Sequence, residues 1–343
     1  MLPLPALDGI VENFMNFGGK SILEISHRSS EFDGIIEGVR EKFSNLLAIP
    51  NDYEVLFLQG GASMQFAMVP INLMEKSADY VVTGHWAEKA LAEAVVIGDP
   101  KIVFSSKDEG FRRVPRPEEI KVSKDASYVH ITTNNTIFGT QYRDYPDTGN
   151  IPLVADMSSD ILSKPIEVSK FGLIYAGIQK NLGPAGVAVV VIRKDLLDRK
   201  FRPVPDIFSY KKHAAKKSIL NTPPVFCIYA MGYVLDWMCS QGGLSAMAER
   251  NAKKAAMIYE AIDSSDFYTS KVERESRSLM NIIFTLPSDE LTVRFLKEAS
   301  RLDLQGLKGH REIGGIRASV YNAFPVEGAA ALANFMKDFE ERA

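Results

Sequence analysis

Short apolar runs rich in Val, Ile, Tyr and Phe recur at 53–58, 80–83, 101–104, 128–132, 153–156, 173–176 and 187–192, and helical patterns separate them. That alternation predicts an α/β fold. Several runs, 187–192 above all, are apolar on successive positions, which predicts strands buried on both faces of a mostly parallel sheet covered by helices. In such sheets ligands bind beyond the carboxyl ends of the strands. After Pro223-Pro224 the pattern becomes helical from Val225 to Ser240, pauses at Gly242-Gly243, and is helical again over 244–262. A domain boundary is therefore placed at Gly243, dividing a large domain (1–243) from a smaller α+β domain (244–343). In the small domain strands are expected at 281–286 and 315–321, with helices over 289–299 and from Pro325 onward.

Composition narrows the function classes. At 343 residues and 46% hydrophobic content the chain exceeds the roughly 250 to 300 residues at which one core stops growing, in keeping with two domains. Forty Lys and Arg against 43 Asp and Glu leave a net charge of −3 without long blocks of either sign, so neither nucleic acid nor a membrane surface is an expected partner. Small molecules are. The two cysteines, Cys227 and Cys239, fall in a stretch that reads as buried helix, which suits structural thiols in a reducing compartment and offers no metal-ligand spacing. With no apolar run near 18 residues and no secretion signal at Met1 to Ile10, a cytoplasmic location is expected.

Candidate chemistry gathers at the strand ends. Lys180 follows the strand at 173–176 and precedes the turn Asn181-Leu182-Gly183-Pro184-Ala185-Gly186. A desolvated lysine there can lose its proton and form a Schiff base with an aldehyde cofactor; taken alone, a lysine beside a turn reads sooner as a solvated surface group. Asp156 ends another apolar strand, where a carboxylate can pair with a protonated pyridine nitrogen, cap a helix or bind Mg²⁺. Gly60-Gly61-Ala62-Ser63 opens a helix after the strand at 53–58, so free backbone N–H groups and the helix dipole suit a phosphate monoester. The segment lacks the lysine of a nucleotide-binding P-loop and the third glycine of a dinucleotide fingerprint. Trp86, in Gly84-His85-Trp86, can stack on a flat heteroaromatic ring or simply pack in the core, and 132–136 ends a strand with amides and hydroxyls. Two patches pair histidine with arginine, His27-Arg28 and His310-Arg311, and Arg317 follows the second. Guanidinium forks bind carboxylate or phosphate in pairs of hydrogen bonds, whereas a salt-bridged surface is the bland alternative.

Taken in order, the blocks Ile25-Ser26-His27-Arg28-Ser29, Gly61-Ala62-Ser63-Met64-Gln65-Phe66, Gly84-His85-Trp86, Ala155-Asp156-Met157-Ser158-Ser159, Gln179-Lys180-Asn181-Leu182-Gly183-Pro184-Ala185-Gly186, Asn221-Thr222-Pro223-Pro224 and Gly315-Ile316-Arg317-Ala318-Ser319-Val320-Tyr321-Asn322-Ala323 resemble the phosphoserine aminotransferase family, class-V pyridoxal-phosphate enzymes of fold type I. The resemblance runs from the first residues to the C-terminus. It implies pyridoxal 5'-phosphate carried on Lys180, Asp156 at the pyridine nitrogen, Trp86 stacked on the ring, and Thr136 on the phenolic oxygen side. Ala62, Ser63 and Gln179 would meet the cofactor phosphate, joined by Asn221 and Thr222 from the second subunit of a homodimer. Arg317 would take the substrate α-carboxylate; His27, Arg28, His310 and Arg311, some of them from the partner chain, would take the substrate phosphate or the side-chain carboxylate of glutamate. The implied reaction moves an amino group between L-glutamate and 3-phosphohydroxypyruvate, with the 4-phosphohydroxythreonine step of cofactor synthesis as a second use. An alanine–glyoxylate-type activity is the runner-up, lacking need of a phosphate receptor, and cysteine desulfuration is disfavoured because both cysteines lie in the expected helix. The chain departs from the pattern at Ser63, an arginine in some members, and at Asn135, often glutamate. It begins at Met1-Leu2-Pro3, where members usually have a preceding segment ending Gly-Pro-Ala that borders the site; either that segment lies outside these residues or that wall is missing.

Overall fold

The computed structural model describes residues 2–343. Its strands are β1 (Tyr53–Gln59), β2 (Asp79–Val82), β3 (Lys101–Ser105), β4 (Val129–Thr132), β5 (Asn134–Asn135), β6 (Thr140–Gln141), β7 (Leu153–Asp156), β8 (Leu173–Gly177), β9 (Val187–Arg193), β10 (Asn281–Phe284) and β11 (Ile316–Ser319). The helices are α1 (Leu4–Glu12), α2 (Ser30–Leu47), α3 (Gly61–Leu73), α4 (His85–Ile97), α5 (Lys194–Leu197), α6 (Tyr210–Ala215), α7 (Val225–Ser240), α8 (Gly243–Asp263), α9 (Asp289–Arg301) and α10 (Val326–Glu341).

Seven strands make the main sheet in the order β1-β9-β8-β7-β4-β2-β3. All neighbours are parallel except β9, which runs antiparallel to both β1 and β8. The continuous apolar run of β9 has the predicted cause. Val187, Val189 and Val191 point into one core with α2 and α7, while Val190 and Ile192 point into a second with α3 and α4. Burial on both faces removes the need for polar alternation. The edge strand β3 is the exception, open to solvent over much of its length, as its unpaired side allows.

Helix α2 shows how local sequence sets an element. Ser29 caps it by accepting from the Phe32 N–H, acidic Glu31 and Asp33 sit in the first turn, and Phe32, Ile36, Val39, Phe43 and Leu47 bury one stripe. The antiparallel pair β10–β11 carries a third core with α8, α9 and α10. Gly243 is the first residue of α8, but Leu244 and Met247 still pack in the core under the main sheet, and the third core begins at Ala255, so α8 bridges the two. One expectation fails: Cys227 and Cys239 do lie on α7, yet Cys227 is half-buried and Cys239 exposed. Cys239 sits in the last turn, where the helix leaves the core. No helix among the described residues is long and apolar enough to cross a membrane.

Candidate active site

Five chain segments meet at the carboxyl edge of the main sheet, after β1, β2, β4, β7 and β8, and enclose a cavity of about 380 Å³. After β1 the backbone turns through Gly60 and Gly61, both with positive φ (90° and 62°), straight into α3. A Cβ on Gly60 would lie 2.9 Å from that of Met64, so glycine is required on both conformational and steric grounds. The start of α3 has no side-chain cap and no acidic residue in its first turn. Its free N–H groups, with the backbone of Ala62 and Ser63 on the cavity wall, form a receptor for an anion.

After β2, Gly84 lets α4 begin close against the β4 segment, since a Cβ there would stand 2.5 Å from Asn135 Oδ1. This puts Trp86 on the cavity with its Nε1 buried and unpartnered. The β4 segment supplies Thr132, Asn134 and Thr136.

Asp156 ends β7 and is buried. Its Oδ1 accepts from the Ser158 N–H (2.9 Å) and the Ser158 hydroxyl (2.5 Å), leaving Oδ2 for another donor. Burial raises its pKa, opposed by the Ser158 bonds and by the Lys180 charge. Four residues on, Asp160 is also buried and accepts from Thr133 Oγ1 (2.5 Å) and Gln141 Nε2 (3.1 Å). Burial pushes its pKa up to about 6. Lys180 follows β8, half-buried, and its Nζ donates to Thr136 Oγ1 at 2.8 Å. Desolvation lowers the Lys180 pKa; Asp156 and Asp160 work against that, and Arg317 adds to it.

The cavity thus gathers Ala62, Ser63, Trp86, Thr136, Asp156, Gln179 and Lys180. The remaining sequence candidates lie outside its wall. Arg317, on β11 opposite Ile283, is within electrostatic reach of Lys180 and has a buried, unpartnered Nε. The loop holding His310 and exposed Arg311 approaches the start of α4, where Glu312 sits 3.2 Å from His85 Nδ1 and the His310 ring is 6.2 Å from that of His85. His27 and Thr222 share a separate cleft, and Asn221 and Thr222 are tied to the end of β1 through Gln59 Nε2.

Sequence reasoning missed His85, Phe66, Asp160 and the roles of Ser158 and Ser159. A serine two places after an acid at a strand end is a local signal for a carboxylate held by its own turn, and could have flagged Ser158. Phe66 reads as ordinary core, and in fact packs edge-on to Tyr175 beside the cavity.

The Aminotransferase class-V family profile matches residues 1–332. A phosphoserine aminotransferase of Lysinibacillus sphaericus is 52% identical over 99% of this chain and 96% of its own length. Among solved structures, phosphoserine aminotransferase from Bacillus circulans subsp. alkalophilus superposes with a TM-score of 0.97 at 44% identity, covering 100% of this chain and 97% of that one. The pyridoxal-phosphate-bound enzyme from Trichomonas vaginalis superposes at 0.94 and 36% identity, covering 98% and 97%. The chain belongs to the class-V aminotransferase family, among the phosphoserine aminotransferases.

Proposed function

We propose that the protein is a pyridoxal-phosphate-dependent aminotransferase that moves the amino group between L-glutamate and 3-phosphohydroxypyruvate, giving O-phospho-L-serine and 2-oxoglutarate. The observation that carries this reading is the pairing of a desolvated amine, Lys180, with a buried carboxylate, Asp156, across a cavity whose third wall is an uncapped helix start. These groups fit the cofactor: the free Oδ2 of Asp156 and the open N–H groups of α3 are unsatisfied without a ligand.

When bound, pyridoxal phosphate supplies an aldehyde that condenses with amines and a protonated ring that accepts the electron pair left on a substrate carbon. Lys180 is the only amine on the cavity wall. Its Nζ would hold the cofactor and, when free, would be placed to move the proton at the substrate α-carbon; both roles need the neutral amine that burial favours. Asp156 would keep the ring nitrogen protonated, and Ser158 fixes the orientation of that carboxylate. Thr136 would meet the phenolic oxygen side, Trp86 would stack on the ring, and Ala62, Ser63 and Gln179 would receive the phosphate. Arg317 receives the substrate α-carboxylate. Asn221 and Thr222 of a second copy complete the phosphate site in a homodimer, and His27, Arg28, His310 and Arg311 bind the substrate's distal anion.

Purified protein is expected to turn yellow with pyridoxal phosphate and to yield a borohydride-trapped adduct at Lys180. It should then transaminate 3-phosphohydroxypyruvate with glutamate far faster than hydroxypyruvate. A colourless protein refutes the cofactor assignment, and equal rates with the two acceptors refute the distal-anion assignment of Arg28 and Arg311.

A further inference from the structure

Three buried asparagines tie together the segments that carry the chemistry. Asn181, next to Lys180, accepts from the Asn322 N–H through its Oδ1 at 3.1 Å and donates through Nδ2 to Ile161 O at 3.0 Å. Asn322, fully buried, donates through Nδ2 to Leu162 O at 2.9 Å and accepts on Oδ1 from Asn251 Nδ2 at 2.8 Å. Asn251, on α8, also donates to Ser163 O at 3.0 Å.

Each segment joined here leads directly to a site residue. Ile161 to Ser163 continue the turn that begins at Asp156, and Leu162 has a left-handed backbone (φ 56°), a conformation costly for a branched side chain and held by what surrounds it. Asn322 ends the stretch that leaves β11, the strand of Arg317. Between them, Lys254 Nζ donates to the carbonyls of Val320 (2.9 Å) and Tyr321 (2.6 Å), which locks that stretch to α8. Buried amide groups are expensive to leave unpaired, and in Asn181 and Asn322 both the amide oxygen and the amide nitrogen are paired, which favours this arrangement of the two segments; Asn251 Oδ1 alone has no partner.

We propose that Asn322 and Asn181 are positioning residues for transamination: the bond from the Asn322 N–H to Asn181 Oδ1, which Asn181→Ala removes, and the Asn322 side-chain bonds to Leu162 and Asn251, which Asn322→Ala removes, together fix the spacing between Lys180 and Arg317, and with it the placement of the substrate α-carbon against the lysine amine. The inference rests on the assignment of Lys180 and Arg317 made above. Asn322 touches neither substrate nor cofactor; it acts through the backbone on either side. A misplacement near 1 Å costs about a hundredfold in rate when reacting groups are held for direct proton transfer. A Lys180 loop released from this tie also admits water and moves away from the Arg317 charge, which brings the amine back toward its ordinary, higher pKa.

The test compares wild-type, Asn322→Ala and Asn181→Ala holoenzymes. Both variants are expected to bind the cofactor, to raise KM for glutamate about tenfold with a kcat loss of about ten- to a hundredfold, and to shift the pH midpoint of the cofactor absorption band upward by about one unit. Asn181→Ala leaves the side-chain bonds of Asn322 to Leu162 and Asn251 in place, so it decides the matter should Asn322→Ala fail to fold. Variants with a lower melting temperature but wild-type midpoint and KM overturn the inference, because a role in stability alone predicts that outcome. A wild type without the absorption band overturns the aminotransferase reading itself, and this inference with it.

Discussion

Lys180 and Asp156 carry opposite burdens of burial. Desolvation pushes the amine toward its neutral form and the carboxylate toward its neutral form as well, while their mutual attraction favours both charges. For the lysine the neutral form is the useful one. For the aspartate the charged form is, and two Ser158 hydrogen bonds on Oδ1 supply part of what burial removes. A bound cofactor whose ring nitrogen is protonated would complete that compensation. Asp156→Asn keeps the shape and loses the charge, so kcat should fall by at least about a hundredfold with the cofactor still bound, since the phosphate receptor at α3 is untouched. Single-turnover kinetics with glutamate check this, and a loss under threefold would remove Asp156 from the machinery. Lys180 and Asp156 at their strand ends were legible only in combination, because each alone had an ordinary reading, as a solvated lysine or a helix cap, and the other blocks of the sequence tipped the balance. Asn181, Asn251 and Asn322 were not legible: an asparagine in sequence reads as turn chemistry, and only the fold reveals that all three are buried and spent on one another.

Between strands, the main sheet carries a ladder of buried polar rings. Tyr80 on β2 and Tyr128, just before β4, share a 2.7 Å hydrogen bond, and His130 Nε2 meets the Tyr175 hydroxyl of β8 at 2.8 Å, with the His130 ring stacked on Tyr80. Burial pushes the His130 pKa down to about 3, so the folded chain holds it neutral. The unfolded chain protonates the same histidine near 6.5. Stability from His130 is therefore complete above pH 6.5 and is lost as pH falls from there toward about 3, by up to about 1.4 kcal/mol per pH unit. His130→Gln removes the titration, so its melting temperature should fall less steeply than that of wild type between pH 6.5 and 4.5. Parallel curves for the two proteins would count against a neutral His130. The element pattern itself was legible to within a residue or two in the main sheet, but the direction of β9 was not. A run buried on both faces looks the same whichever way it points, and only the short connection after β8 forces the antiparallel return.

At the scale of the molecule, none of Asn221, Thr222, His27 and Arg28 reaches the cavity wall of its own chain. The proposed two-fold dimer would make every site a joint product by exchanging these segments. Mixing two inactive variants tests this. Lys180→Ala and Thr222→Asp homodimers, allowed to exchange subunits, should regain on the order of a quarter of wild-type activity, because each mixed dimer contains one site free of both defects. Absence of recovery after demonstrated exchange would place Thr222 in the same site as its own Lys180. Composition and pattern led to an expectation of two domains, but could not show that α8 packs in two cores, since a single amphipathic helix does not announce a change of partner along its length.

The reversed strand β9 also has a consequence for how the chain reaches this state. β1 is paired only with β9, which lies far later in the chain, so β1 and the glycine turn behind it dock only once a long loop has been closed. Contacts this remote in sequence form late, because closing a long loop costs entropy before any pairing repays it. The Lys180 turn, by contrast, joins adjacent strands and can form on its own. The phosphate receptor is accordingly among the last parts of the site to exist during refolding, and a ligand that needs it has nothing to hold before then. Pyridoxal phosphate added to refolding protein should leave the observed folding rate unchanged and slow unfolding instead. Stopped-flow fluorescence with and without the cofactor separates the two, and an accelerated folding limb would show that the receptor is built early.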